Sequence, residues 1–368
     1  MVRKKNFLVS DMQFTEPERY KFIQHYDLHG IMKFQVRYND KKNLIYSYNF
    51  PYSYFKVDHV DNPSIILNIA PFKPNNEECD VVFHKYYIKK NYLYFKEQRG
   101  FFSWHVEFQG IGKEKTIINF YWNRLPPKAL FSPYYFPQIA YMEPLVDLKL
   151  SERGYCLLHS AAVSHEKKAI LFAGRSGASK RTIAAYYLNK MDYSFIGDDK
   201  VIIKDGNVFS YPTNIAVCNY SFKHDYTKKL SSLLEKVKTV HYLYKMKDKL
   251  IFEFGLEDKA SIHSVNILSK FQEIEEPLIC PKKREEVISS LINNNLAEFT
   301  PDFYNSLVAY SYIFPESLNS SYSKLLKKNL DISLDNDVRM NEIILGTDYT
   351  KRQFDTNVGE FFKSEMIV

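Results

Sequence analysis

Three short stretches of the chain carry side chains whose types and spacing could do chemistry. The stretch AILFAGRSGASKRTIAAYYL (169–188) ends an apolar run at Gly174, passes through a loop of small residues and reaches Lys180 before a helix-compatible segment. That order suits a phosphate cradle. In such a loop the amides of Gly174, Arg175, Ser176, Gly177, Ala178 and Ser179 turn inward, and the next helix presents its positive end to the phosphates. Lys180 then reaches the outer phosphates as a point charge. Against the pattern GxxxxGK[ST], two positions depart: Ser179 stands at the second glycine, and Arg181 stands where a hydroxyl would hold Mg²⁺. Ser179 strains the loop only if it must take a positive φ. Thr182 is a substitute hydroxyl, displaced by about 100° around the helix.

The second stretch, LHSAAV (158–163), puts His159 inside a short apolar run just before the loop. The third, FIGDDKVIIKDGNVFSYP (195–212), ends an apolar strand at Asp198 and Asp199 just after the helix. Phosphoryl transfer needs such a carboxylate pair beside a phosphate cradle. One carboxylate can hold Mg²⁺ while the other orients or deprotonates an attacking hydroxyl. The residues alone leave open which does which.

Together LHSAAV, GRSGASKRT (174–182) and GDDKVIIKDGNVFSYP (197–212) resemble the HPr kinase/phosphorylase superfamily. Ala161 departs from that pattern, which has Ser there. The resemblance covers about 60 contiguous residues and extends to the divergent relatives found in peptide-modification gene clusters. It implies an α/β fold: a P-loop kinase-like domain, of the HPr kinase and phosphoenolpyruvate carboxykinase type, over 129–368, behind a β-rich domain over 1–128 that recognises a peptide. It further implies ATP and Mg²⁺ as cofactors, Lys180 on the β and γ phosphates, Asp198 as the base, Asp199 in the metal shell and His159 beside the γ-phosphate. The expected activity is ATP-dependent transfer of a phosphoryl group to a hydroxyl, that of a serine, on a peptide or protein. The family's Gly- and Arg-rich second signature and its usual N-terminal domain are not visible, which argues against HPr itself as the substrate. Arg181 motivates an alternative in which nucleotide or peptide binds without transfer. A remote alternative reads RSGAS as the phosphosulfate loop of a sulfotransferase, a family without the GDDKV segment.

These residues need elements to hold them. Apolar runs at 156–163 and 169–174, a helix at 180–190 and a hairpin at the Asp205-Gly206 dipeptide give the strand, loop, helix, strand order that a phosphate-binding fold requires. Upstream, β-branched and aromatic runs at 32–38, 64–69, 80–87, 92–96, 102–109 and 116–122 predict strands. The proline-rich segment 123–138 marks a boundary, and 139–152 has helical spacing apart from Pro144. Downstream, helices are expected at 230–240 and 283–294, strands at 251–254 and 264–268, then a last strand at 340–348 and a last helix at 352–366.

Composition narrows the partners. The formal net charge of +7 over 368 residues is spread among acids, so it permits an acidic ligand or peptide without demanding nucleic acid. The segment KYYIKKNYLYFK (85–96) mixes bases and aromatics as a single-strand binder would, but its alternation reads as a half-buried strand. Cys79, Cys156, Cys218 and Cys280 are far apart, without zinc spacing, as in a cytoplasmic protein. His25, His29, His59, His84 and His105 lack metal spacing too. No apolar run is long enough for a membrane span, and the N-terminus has no signal-peptide core, so a cytoplasmic chain without a membrane partner is expected. A homo-oligomer is compatible with all of this.

Overall fold

A computed structural model describes residues 20–39, 52–122, 136–212, 254–272, 274, 276–335, 337–347 and 353–365. Among these residues the protein is mixed α/β, built of two large mixed sheets and six α-helices. The expected helix at 230–240 and strand residues 251–253 lie outside the described residues, as do Cys218 and most of the proline-rich segment. The remaining three cysteines are free thiols.

The first sheet holds β1 (Phe22–Leu28), β2 (Met32–Tyr38), β3 (Lys56–Val57), β4 (Ile65–Ile69), β5 (Asp80–Val82), β6 (Tyr86–Lys89), β7 (Tyr92–Arg99), β8 (Phe102–Gln109) and β9 (Thr116–Trp122). Their order is β3-β1-β2-β4-β9-β8-β7-β6-β5. The run 80–87, expected as one strand, is a hairpin, because Phe83 and His84 both take positive φ and turn the chain between β5 and β6. β1 escaped the sequence reading because the polar and charged residues of FIQHYDL hide its alternation.

A π-type turn (Gln138–Met142) leads into α1 (Glu143–Glu152), whose residues from Glu143 to Ser151 are all buried. Such a helix needs a partner for every polar side chain. Lys149 donates to the Lys113 carbonyl at 2.6 Å, Glu143 accepts from Lys200 at 2.5 Å, and Asp147 accepts from the Tyr322 hydroxyl at 2.8 Å. Burial pushes the Asp147 carboxyl up to about 7, with nearby Glu143 adding to the rise and Lys200 and the Tyr322 hydrogen bond opposing it.

The second sheet contains β10 (Cys156–Leu158), β11 (Ser160–His165), β12 (Lys168–Ala173), β13 (Ser194–Gly197), β14 (Val201–Lys204), β15 (Asn207–Phe209), β16 (Lys259–Phe271), β17 (Leu278–Pro281) and β18 (Arg339–Gly346). It runs β10-β14-β15-β16-β12-β11-β13, with β18 also against β16 and β17 against β18. β12, β16 and β18 are parallel neighbours at its centre. The helices after α1 are α2 (Lys180–Lys190), α3 (Arg284–Leu296), α4 (Pro301–Ile313), which packs on β6 and β7 of the first sheet, α5 (Leu318–Ser333) and α6 (Gly359–Glu365). The helix expected at 180–190 and the Asp205-Gly206 hairpin are both present, with positive φ at both turn residues.

One continuous apolar core passes through both sheets and α1, while a smaller cluster of Phe172, Ile183, Tyr187, Phe195 and Phe362 seats α2. Polar contacts also tie the first sheet to the elements packed on it. Arg153 donates to the Ile31 carbonyl and the Ser64 hydroxyl, Trp104 donates to the Tyr141 hydroxyl, and the Asn91 amide donates to the Tyr310 hydroxyl. No helix among the described residues is long and apolar enough to cross a membrane.

Candidate functional site

The loop between β12 and α2 has the backbone of an anion cradle. Gly177 takes φ +88° and Ser179 takes φ +74°, both left-handed, and the first helical hydrogen bond runs from the Ile183 amide to the Ser179 carbonyl. The helix therefore opens at Lys180, its first-turn amides directed at the loop mouth. Gly174 is needed for close approach: a Cβ there would lie 3.0 Å from both the Leu268 carbonyl oxygen of β16 and the Ala178 side chain. Ser179 sits in the conformation that a glycine takes freely. Ser179→Gly is expected to raise stability by about 1 kcal/mol, the left-handed penalty less the freedom glycine adds to the unfolded chain. A thermal melt with an unchanged or lower Tm would show that no strain resides there.

Lys180 is buried, and its ammonium turns back across the loop to donate to the Gly174 carbonyl and to His159 Nε2 at 2.7 Å. A lysine ammonium only donates, so Nε2 accepts and the imidazole proton sits on Nδ1. That nitrogen faces Asp199, whose Oδ1 is 3.6 Å away, and has no hydrogen-bond partner of its own. His159 is 4% exposed, and Glu298 Oε1 lies 3.5 Å from its Nε2. Burial above all pushes the imidazole down to about 4. Lys180, Lys200 and Arg175 add to that fall, and Asp199 opposes it. The ring is therefore neutral at physiological pH. Burial also lowers the Lys180 ammonium, against Asp199, Glu298 and Asp198.

His159 owes its position to a break in the sheet. β10 pairs with β14, β11 pairs with β12 and β13, and His159 lies between them where the chain changes partners. Backbone groups that leave a ladder need other partners when buried. Asn295 accepts from the His159 amide at 2.9 Å and donates to the Leu157 carbonyl, while Asn294 donates to the His159 carbonyl at 2.8 Å. Asn294, Asn295 and Glu298 were not singled out from sequence. The signal was the run NNN inside a helical pattern, where asparagine is a poor helix former.

The two aspartates follow β13 in a turn that Gly197 makes possible, since a Cβ there would fall on the Lys200 carbonyl and 2.7 Å from the Val201 side chain. They part ways. Asp198 is 5% exposed and accepts from Arg181 Nε at 2.6 Å. Asp199 keeps 56% of its side chain open. Desolvation alone would raise its carboxyl, but His159, Lys200, Lys180 and Arg181 hold it below the usual carboxylate range. Burial and the Asp199 charge instead raise Glu298. Arg175, Ser176, Gly177 and Arg181 are exposed at the mouth; Thr182 is half-buried.

No protein-family model and no curated protein matches the chain.

The site's geometry fits phosphate: a left-handed loop, a helix start and Lys180 converge with His159, whose buried Nδ1 is unsatisfied. It lacks the loop hydroxyl that would help to hold Mg²⁺, while Asp199 is a strand-end carboxylate left open. Arg181 stands in place of the hydroxyl and takes Asp198, and among the described residues no group of three His, Cys, Asp or Glu side chains is placed to hold a metal ion by itself. Arg181→Ala would leave a buried carboxylate without its guanidinium. The expected loss is about 2 kcal/mol, less than for a fully buried pair because 46% of the Arg181 side chain stays in water. Adding Asp198→Asn should return most of it in a denaturant titration, and independent losses would show that the pair is not coupled.

Proposed function

We propose that the protein is an ATP-dependent phosphotransferase with an HPr kinase-like P-loop fold, acting on the hydroxyl, a serine's, of a peptide or protein. The observation that carries this reading is the convergence of Lys180, His159, Asp199 and Glu298 at the mouth of a left-handed loop that opens a helix. In the reaction, the acceptor oxygen forms a bond to the terminal phosphorus, the bond to the bridging oxygen breaks, and ADP leaves. The acceptor's proton goes to a carboxylate.

Of the two aspartates, Asp199 is the one an incoming hydroxyl reaches, since Asp198 is buried behind Arg181. His159 orients it: the Nδ1 proton faces Asp199 while Nε2 receives Lys180. Lys180, Arg175, Arg181 and the helix amides supply positive charge to the phosphates. The first sheet, packed on the same core, is the surface assigned to the peptide.

The Arg181–Asp198 pair favours a second reading, in which nucleotide binds and nothing is transferred. Labelled ATP with candidate serine peptides separates the two. Labelled peptide from the wild-type chain and none from Lys180→Ala supports transfer, whereas transfer that persists in that variant overturns it. ATP binding without any labelled peptide or released phosphate supports the second reading.

A further inference from the structure

We infer that this site holds the phosphates of a nucleoside triphosphate without a divalent cation, the Arg181 guanidinium standing in the place, and carrying the charge, of the metal. The inference rests on the phosphate-binding half of the reading above and is indifferent to transfer.

Position 181 follows the loop lysine in the first turn of α2, where a side chain faces the same space as the helix amides. A hydroxyl there would recruit a cation; this chain carries the cation itself. Its guanidinium already occupies the strand-end carboxylate, with Nε 2.6 Å from Asp198 Oδ2, and that carboxylate is nearly closed to solvent. A metal ion reaching Asp198 must displace a hydrogen-bonded guanidinium from a desolvated partner, and one reaching the open Asp199 would find no loop hydroxyl as its second ligand. Bulk Mg²⁺ gives up its own water reluctantly, so the exchange is unfavourable on both sides.

Two further observations point to an anion. The His159 Nδ1 proton, in a side chain 4% exposed, has no acceptor within hydrogen-bond distance, and a ligand oxygen that displaced the open Asp199 carboxylate from its 3.6 Å station would supply one. Around it stand Lys180, Lys200, Arg175 and Arg181 against Asp198, Asp199 and Glu298, so cations outnumber the acids before any metal is added. A planar, always-charged guanidinium also offers phosphate a paired geometry that a lysine does not.

Calorimetry on the whole chain tests this with ATP as the probe, once in excess EDTA and once in MgCl₂. The wild-type Kd should agree between the two within about threefold. Arg181→Thr should weaken binding in EDTA by about tenfold, the loss of one charge-assisted hydrogen bond, and MgCl₂ should restore part of it. Arg181→Lys, which keeps the charge, should still bind in EDTA. Wild-type binding that appears only with MgCl₂ overturns the inference and leaves the phosphate reading standing. Equal affinity of wild type and Arg181→Thr in EDTA overturns it as well, and absence of ATP binding under both conditions overturns both.

Discussion

Lys180→Ala is expected to weaken ATP binding by about a hundredfold and to abolish phosphoryl transfer. The ammonium lies at the centre of the site, between the Gly174 carbonyl and His159 Nε2. Its removal takes away two charge-assisted hydrogen bonds that a phosphate would otherwise exchange into, at about 1.5–3 kcal/mol each before partial compensation by solvent. A second effect distinguishes this from a loss of fold. Lys180 is one of the charges that hold the His159 imidazole down at about 4, so in the variant the imidazole should titrate higher. Following the ring protons by NMR against pH would show it, and an unmoved His159 with unaltered ATP affinity would remove Lys180 from the site.

Asp147→Asn is expected to stabilise the protein above neutral pH by up to about 4 kcal/mol. The folded carboxyl titrates at about 7 against an ordinary 3.8, roughly three units at 1.36 kcal/mol each. Because the folded value is raised, the folded state binds more protons than the unfolded state between pH 3.8 and 7. Stability from this group is therefore complete below pH 3.8 and lost as pH rises to 7. His159 works the other way. Its folded value is depressed, so its contribution is present above 6.5 and lost as pH falls toward 4. Asparagine keeps an oxygen to accept from the Tyr322 hydroxyl and cannot ionise. Denaturant titrations should place the two proteins close together at pH 4 and apart at pH 8. A difference that does not change with pH would mean that Asp147 ionises freely where it is buried.

The sequence made the strand, loop and helix around Lys180 legible because local chemistry decides them. An apolar run, a close-approach glycine and a helix-forming segment follow one another without interruption, and the helix spans Lys180–Lys190 as expected. That His159, Asp198 and Asp199 lie beside the loop followed from the strand order on either side of it. The helices Pro301–Ile313 and Leu318–Ser333 were not, although Thr300 before Pro301 and Ser317 before Leu318 are start signals. Tyr and Ser all round the first weaken its apolar period, whereas the second does carry an apolar stripe through Tyr322, Leu326 and Leu330. What Arg181 touches could not be read at all, since its partner is brought to it by the packing of β13 against β11. The asparagines that fix His159 lie more than a hundred residues away in sequence, at a separation where spacing carries no information.

The same clamp bears on the order in which the protein matures during synthesis. The loop, Lys180 and the two aspartates leave the ribosome within a span of about 25 residues and can condense early, as domains do on emergence. His159 emerges before all of them, yet its backbone is held by Asn294 and Asn295, and Glu298 arrives later still. A nascent chain that has folded its phosphate loop therefore carries an unset histidine. The surroundings of His159 are complete only after α3 has been made and docked, by which time the sheet that supports the loop is largely assembled.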